Sequence, residues 1–218
     1  MLLAAGEPWV RWDWVGRHVG LITDALGQHI ELTVIAVSVG LLLATPIGLF
    51  AWRYRPSRGA VLGVAGAFYT IPSLALFALL VPFTGLSVLT SEIGLVSYTL
   101  LILVRNIVVG LDGVPDAVRD AADGMGFRPA RRLLGVELPL ALPVIMAGLR
   151  VATVTTIGLV TVTALIGQGG LGQLLLTGLI SDFRTPLVVG AALSVALAIV
   201  LDLVLATTQR LLTPWRRS

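Results

Sequence analysis

Residues 32–51 read LTVIAVSVGLLLATPIGLFA, twenty residues without a charge. A hydrocarbon core of about 30 Å is crossed by about 20 apolar residues in a helix, so this run predicts one membrane crossing. The pattern repeats outward from it. Residues 59–91 are uncharged and long enough for a helix plus an apolar loop around Pro82 to Leu89. A third run, 93–111, is interrupted by Arg105; a fourth, 143–166, by Arg150; a fifth, 186–208, by Asp202. The expected fold is an all-α membrane protein with five core transmembrane helices.

Composition agrees. The 218 residues are 56% hydrophobic and 12% charged, with a mean hydropathy of +0.96. Soluble domains carry about 25% charged residues because a wet surface needs them. All fifteen basic residues are Arg, in short clusters between apolar runs. That placement suits membrane orientation better than a nucleic-acid stripe, so no nucleic-acid partner is expected. With no Cys there is no disulfide framework, and His18 and His29 are too few and too far apart for a metal cluster. Met1 to Ala5 lacks the basic start of a cleavable leader.

Arginine placement sets the expected topology. Arg53, Arg55, Arg58, Arg119, Arg128, Arg131, Arg132, Arg210, Arg216 and Arg217 fall on one side of the five runs. Only Arg11, Arg17 and Arg184 fall on the other. The richer side is cytoplasmic by the positive-inside rule, which puts the N-terminus outside and the C-terminus inside. Trp9, Trp12, Trp14, Trp52 and Trp215 all lie at run ends, as an interfacial belt would place them. Apolar positions 15, 19, 22 and 26 suit a short helix lying on the outer surface. The chain then divides into an extracytoplasmic segment 1–28, a transmembrane region 29–212 with a polar cytoplasmic loop 112–142, and a cytoplasmic tail 213–218.

The loop 112–142 is the most informative polar stretch. Pro115 and Asp116 suit a helix start, Gly124 and Gly126 a helix end, and Pro129 the opening of a second short helix. Val118, Ala122 and Met125 are expected on one face, with Arg119, Asp120 and Asp123 off it. Small residues beside a glycine corner let a partner surface approach the backbone closely. Asp120-Ala121-Ala122, then Gly126, then Val136-Glu137-Leu138-Pro139 resembles the cytoplasmic "EAA" signature of ABC-importer permeases. In that pattern Glu-Ala-Ala is followed after three residues by Gly, and after nine more by Ile-any-Leu-Pro. Here Asp stands for the first Glu and Val for Ile.

The resemblance implies a type I, MetI-like permease fold in which this loop is a coupling helix seated in a groove of a cytosolic ATPase. Asp120, Ala121, Ala122, Gly126, Leu138 and Pro139 would then carry ATPase coupling. Thr70 to Leu76, Arg105-Asn106, Val136 to Arg150 and Ala164 to Gly172 look like the permeases of osmoprotectant importers, which take up glycine betaine, choline or carnitine. That likeness runs over residues 27–212. It implies two cytosolic ATPase subunits, a second permease chain, identical or related, an extracytoplasmic solute-binding protein and a prokaryotic plasma membrane. The alternatives are a permease of the same class for another small solute such as an amino acid, and an ATP-independent secondary carrier.

Other candidates have structural readings beside the functional ones. Arg105, Arg150 and Asp202 each lie about 10 Å, at 1.5 Å per residue, from the cytoplasmic end of a run. Two interfacial anchors and one ion pair are preferred to a gate. Thr153, Thr155, Thr156, Thr161 and Thr163 could line a path, but interhelical hydrogen bonding is preferred. Phe68, Tyr69 and Phe77 offer faces to a quaternary ammonium, with packing preferred. Gly167-Gln168-Gly169-Gly170-Leu171-Gly172 fits the dinucleotide pattern formally but lacks a βαβ context. A flexible turn or partly re-entrant segment is expected there, before the apolar stretch Leu174 to Ile180. With no Lys there is no phosphate-loop lysine. No catalytic role and no cofactor are expected in this chain; ATP and Mg would sit on the partner ATPase.

Overall fold

The computed structural model describes residues 8–217, so the expectations placed on residues 1–7 lie outside it. Every regular element among the described residues is helical. In chain order these are α1 (Trp12–Arg17), α2 (Val19–Arg53), α3 (Arg58–Thr70), α4 (Ser73–Thr84) and α5 (Val88–Asp112). They continue as α6 (Asp116–Gly124), α7 (Pro129–Arg132), α8 (Leu138–Val162), α9 (Leu171–Ile180) and α10 (Arg184–Leu212). A π-helical turn, Leu133–Glu137, joins α7 to α8, so Pro129–Ile166 reads as one long helical stretch.

Four stretches are long and apolar enough to cross a membrane: α2, α5, the α7-to-α8 stretch and α10. A fifth crossing arises only if α3 and α4 are counted together. The single helix expected for the second run is broken at Ile71–Pro72. Proline disfavours a helical residue before it and cannot donate a backbone hydrogen bond, and Pro72 is extended (φ −56°, ψ 133°). The expected loop around Pro82 to Leu89 shrinks to Gly85–Ser87, with Pro82 inside α4 and Gly85 at φ 71° ending it.

The first crossing begins well before Leu32. Asp24, Gln28 and Glu31 lower the local hydropathy, but backbone hydrogen bonding continues through them to Val19. The short surface helix expected over 15–26 is therefore split between α1 and the first turns of α2. His18 ends α1, its ring stacked on Trp14 at 4.3 Å.

The described residues form two compact units. One is drawn from Met1–Ala36, Ile71–Val96 and Val154–Val200, the other from Val37–Thr70, Ser97–Thr153 and Leu201–Ser218. The first has a core of Leu32, Ala36, Phe77, Leu95, Val160 and Ile166. The second is built on Ala44, Leu103, Val104, Ile107, Leu111, Ala141 and Ala152. In the second unit the helices approach through glycines. A Cβ on Gly48 would lie 2.8 Å from the Ile107 side chain, and one on Gly148 would lie 2.4 Å from Asn106. Small residues let membrane helices meet where hydrophobicity gives no drive to associate.

Candidate functional site

The segment α6 to α8 carries most of the polar chemistry in the second unit. Pro115 (φ −61°, ψ 140°) precedes α6, and Asp116 sits in its first turn, where the helix dipole favours a negative charge. Ala122 is buried and Val118 half-buried, while Asp120 and Ala121 are exposed. Met125, expected on the inner face, is 70% exposed. It is the cap residue at which the chain leaves the helix, so helical periodicity no longer places its side chain.

Gly126 closes that end at φ 78°. Its N–H donates to the Asp123 carbonyl at 2.9 Å, and the Phe127 N–H donates to the Ala122 carbonyl at 3.1 Å. This crossed pair with a left-handed residue is a Schellman cap, which satisfies carbonyls that the helix end would otherwise orphan.

The return to α8 is fixed by one carboxylate. Glu137, wholly buried, accepts a hydrogen bond from Arg132 Nε at 2.7 Å. Arg119 Nε lies 3.6 Å from its other oxygen. Arg119 also donates to Asp116 and to the Leu111 carbonyl, each at 2.7 Å, and Arg132 pairs with Asp123. Glu137 thus ties α6 and α7 to the foot of α8. It is absent from the candidates that motif spacing picks out, because it fills the free position between Val136 and Leu138. A lone carboxylate five residues after Arg132 in an apolar stretch is the available signal, since a π-helical turn brings i and i+5 together. Leu138 and Pro139 open α8 directly after the π-helical turn, where the Leu138 N–H donates to the Leu133 carbonyl.

Of the charges inside the spans, Arg150 and Asp202 meet. Arg150 donates through Nε and Nη2 to the two carboxylate oxygens, both at 2.7 Å. Arg105 is exposed on α5, with no hydrogen bond or ion pair among the described residues. Asp112, at the end of α5, takes a two-pronged contact from Arg58 at 2.7 and 3.1 Å. Tyr69 is 39% exposed and meets Tyr98 edge-on at 5.7 Å. The threonine reading is corrected in part. Thr153, Thr161 and Thr163 donate to carbonyls three or four residues back on their own helix rather than between helices. Thr156 is buried.

In the first unit the glycine segment is pinned rather than flexible. The Gly170 N–H donates to Gln28 Oε1 at 3.0 Å, and Gln28 in turn donates to Gln168 at 3.3 Å. A Cβ on Gly170 would lie 2.5 Å from the Ala25 carbonyl oxygen. The buried His29 bonds the Ile157 carbonyl through Nε2 at 3.1 Å. Glu92, in the first turns of α5, has both carboxylate oxygens buried without a hydrogen-bond donor. No group of side chains suited to a metal ion occurs among the described residues.

Comparison with known proteins places the chain in a family. The family of binding-protein-dependent transport system inner membrane components matches residues 36–218. The chain is 39% identical to the choline transport system permease protein OpuBB of Bacillus subtilis over 188 residues, 86% of each chain. It is 39% identical to the osmoprotectant import permease protein OsmW of Salmonella typhimurium over 202 residues, 90% of this chain and 94% of that one. Among solved structures, the inward-facing MetNI methionine ABC transporter matches with a TM-score of 0.82 at 21% identity, covering 90% of this chain and 98% of that one.

Proposed function

This chain belongs to the family of binding-protein-dependent transport system inner membrane components, and from that premise we propose that it is the permease subunit of an ATP-driven importer for a quaternary ammonium solute of the glycine betaine, choline or carnitine class. Two relatives named for these solutes, 39% and 36% identical, support the solute class. The observation that carries the coupling role is the form of α6. It presents Asp120 and Ala121 outward, is closed by the Gly126 cap, and is bound through Arg119 and Glu137 to the foot of a long apolar helix. A helix so exposed on one side and so tied on the other can pass a push from a docked partner into α8.

On this reading ATP and Mg are held by two cytosolic ATPases, and this chain catalyses nothing. A second permease copy completes the path, and an extracytoplasmic binding protein delivers solute. The N-terminus lies outside and the C-terminus inside. ATP-driven closure of the ATPases draws the two α6 helices together and opens the outer side. Arg105, Arg150, Asp202, Tyr69 and Thr156 remain the pathway or gate candidates of this mechanism, Arg150 and Asp202 acting as a pair.

The test is affinity purification from the native membrane, followed by ATPase assay with and without glycine betaine and its binding protein. A copurifying ATPase stimulated by both supports the role and the solute class together. An ATPase that copurifies but ignores betaine, choline and carnitine keeps the importer and overturns the solute. If no ATPase copurifies and Gly126→Ala leaves uptake intact, the coupling role fails.

A further inference from the structure

A cavity of 430 Å³ opens beside the end of α2, walled by Trp52, Arg53, Arg55, Arg119, Arg132 and Glu137 among others. Its charges are unevenly met. Arg119 and Arg132 face Asp116, Asp123 and Glu137. Arg53 and Arg55 are exposed and have no acidic partner among the described residues. Arg119 Nε, buried in the same wall, faces Glu137 Oε2 at 3.6 Å and is answered by it. Two unanswered guanidinium groups, Arg53 and Arg55, opening on one cavity suit a compact anion with several acceptor oxygens. A phosphate group has that chemistry, since guanidinium donors match phosphate oxygens in pairs.

We propose that this cavity holds the phosphate of an anionic phospholipid. Depth favours a lipid over a soluble anion. The apolar helix α2 ends at Arg53, and Trp52 is half-buried beside it. Phe50 and Tyr54, 55% and 56% exposed, lie against each other at 6.0 Å on the same helix end. Outward aromatic rings next to arginines mark the level where acyl chains meet headgroups, and basic pockets at that level bind anionic headgroups. A phosphate seated there would join the end of α2 to the arginines that hold α6 and α7. Lipid binding itself rests only on the membrane reading; its effect on transport rests on the importer role proposed above.

The purified transport complex is placed in nanodiscs of phosphatidylcholine with increasing phosphatidylglycerol. Quenching of Trp52 by brominated lipid is read as the difference from Trp52→Phe. Brominated phosphatidylglycerol is expected to quench at about tenfold lower mole fraction than brominated phosphatidylcholine. The Arg53→Gln/Arg55→Gln double variant loses that preference, and Arg128→Gln, an exposed arginine outside the cavity, keeps it. Equal quenching by the two lipids in the unmodified protein overturns the proposal, as does an unchanged preference in the double variant. Displacement by millimolar inorganic phosphate would assign the cavity to a soluble anion and overturn the lipid assignment. Selective lipid binding without any copurifying ATPase would leave the site standing while the importer role falls.

Discussion

Arg132 Nε donates to the Glu137 carboxylate at 2.7 Å across a single π-helical turn. The contact closes a short polar frame in which Glu137 is 1% exposed and Arg119 approaches from α6. A buried charge of this kind is tolerable only while its partners stay in place. The frame therefore holds α6 and the foot of α8 in one arrangement, and its removal separates stability from coupling.

Glu137→Gln keeps the side-chain shape and removes the charge. The loss is expected to be about 1.5–3 kcal/mol, the range for hydrogen bonds to a charged group. In proteoliposomes, solute taken up per ATP hydrolysed should fall several-fold while the ATPase stays bound. An unchanged uptake-to-hydrolysis ratio would reduce Glu137 to a folding residue.

Arg150 and Asp202 form an ion pair within the spans, with about a third of each side chain exposed in the isolated chain. Removing one partner strands a charge in the membrane, at about 2.5–3.5 kcal/mol on insertion scales. Arg150→Leu and Asp202→Leu should each lower the melting temperature and yield of the purified protein. The double variant should recover most of both. A double variant no better than the singles would show that each residue acts through something other than its partner.

A Cβ at Gly126 would meet nothing within 4 Å, so the φ of 78° is the only obstacle to a side chain. The left-handed conformation costs an ordinary L-residue about 1–2 kcal/mol. Asn tolerates that region, so Gly126→Asn should retain uptake where Gly126→Ala reduces it. Equal uptake by the two variants would detach the α6 cap from function.

Hydropathy made the crossings legible because a bilayer rewards apolar runs whatever else the residues do. It is blind to the backbone, and that is why α3 and α4 read as one run although Ile71–Pro72 divides them. The same blindness hid the start of α2, where Asp24, Gln28 and Glu31 are helical but not apolar. Helix punctuation was legible in the loop because Pro115, Gly126 and Pro129 act through local backbone geometry. Glu137 was not, since its role depends on Arg119, which approaches through the fold from eighteen residues away. Asp202 was readable as a partner for an arginine by the cost of a charge in a span. Which arginine it takes is fixed only by the packing of α8 against α10.

Gly170 distinguishes a pinned segment from a flexible turn. Gly167 and Gly170 both have positive φ, 81° and 49°. Only Gly167, at ψ 2°, is left-handed helical, a conformation that costs an L-residue about 1–2 kcal/mol. Gly170, at ψ −115°, lies where only glycine is at ease. They differ in surroundings as well. A Cβ at Gly167 meets nothing within 4 Å, whereas at Gly170 it would press on the Ala25 carbonyl and the His29 backbone at 2.5 to 2.8 Å. Those atoms belong to α2 and cannot rotate away, so the segment must lift and the hydrogen bond from Gly170 N–H to Gln28 is lost. Gly170→Ala should therefore lower the melting temperature well beyond Gly167→Ala, and amide exchange over 167–172 should rise only in the former. Gln28→Ala removes the same hydrogen bond without the clash and should fall between them. If Gly167→Ala and Gly170→Ala prove equal, the contact with α2 yields without cost, and the segment's attachment to α2 contributes little to holding it.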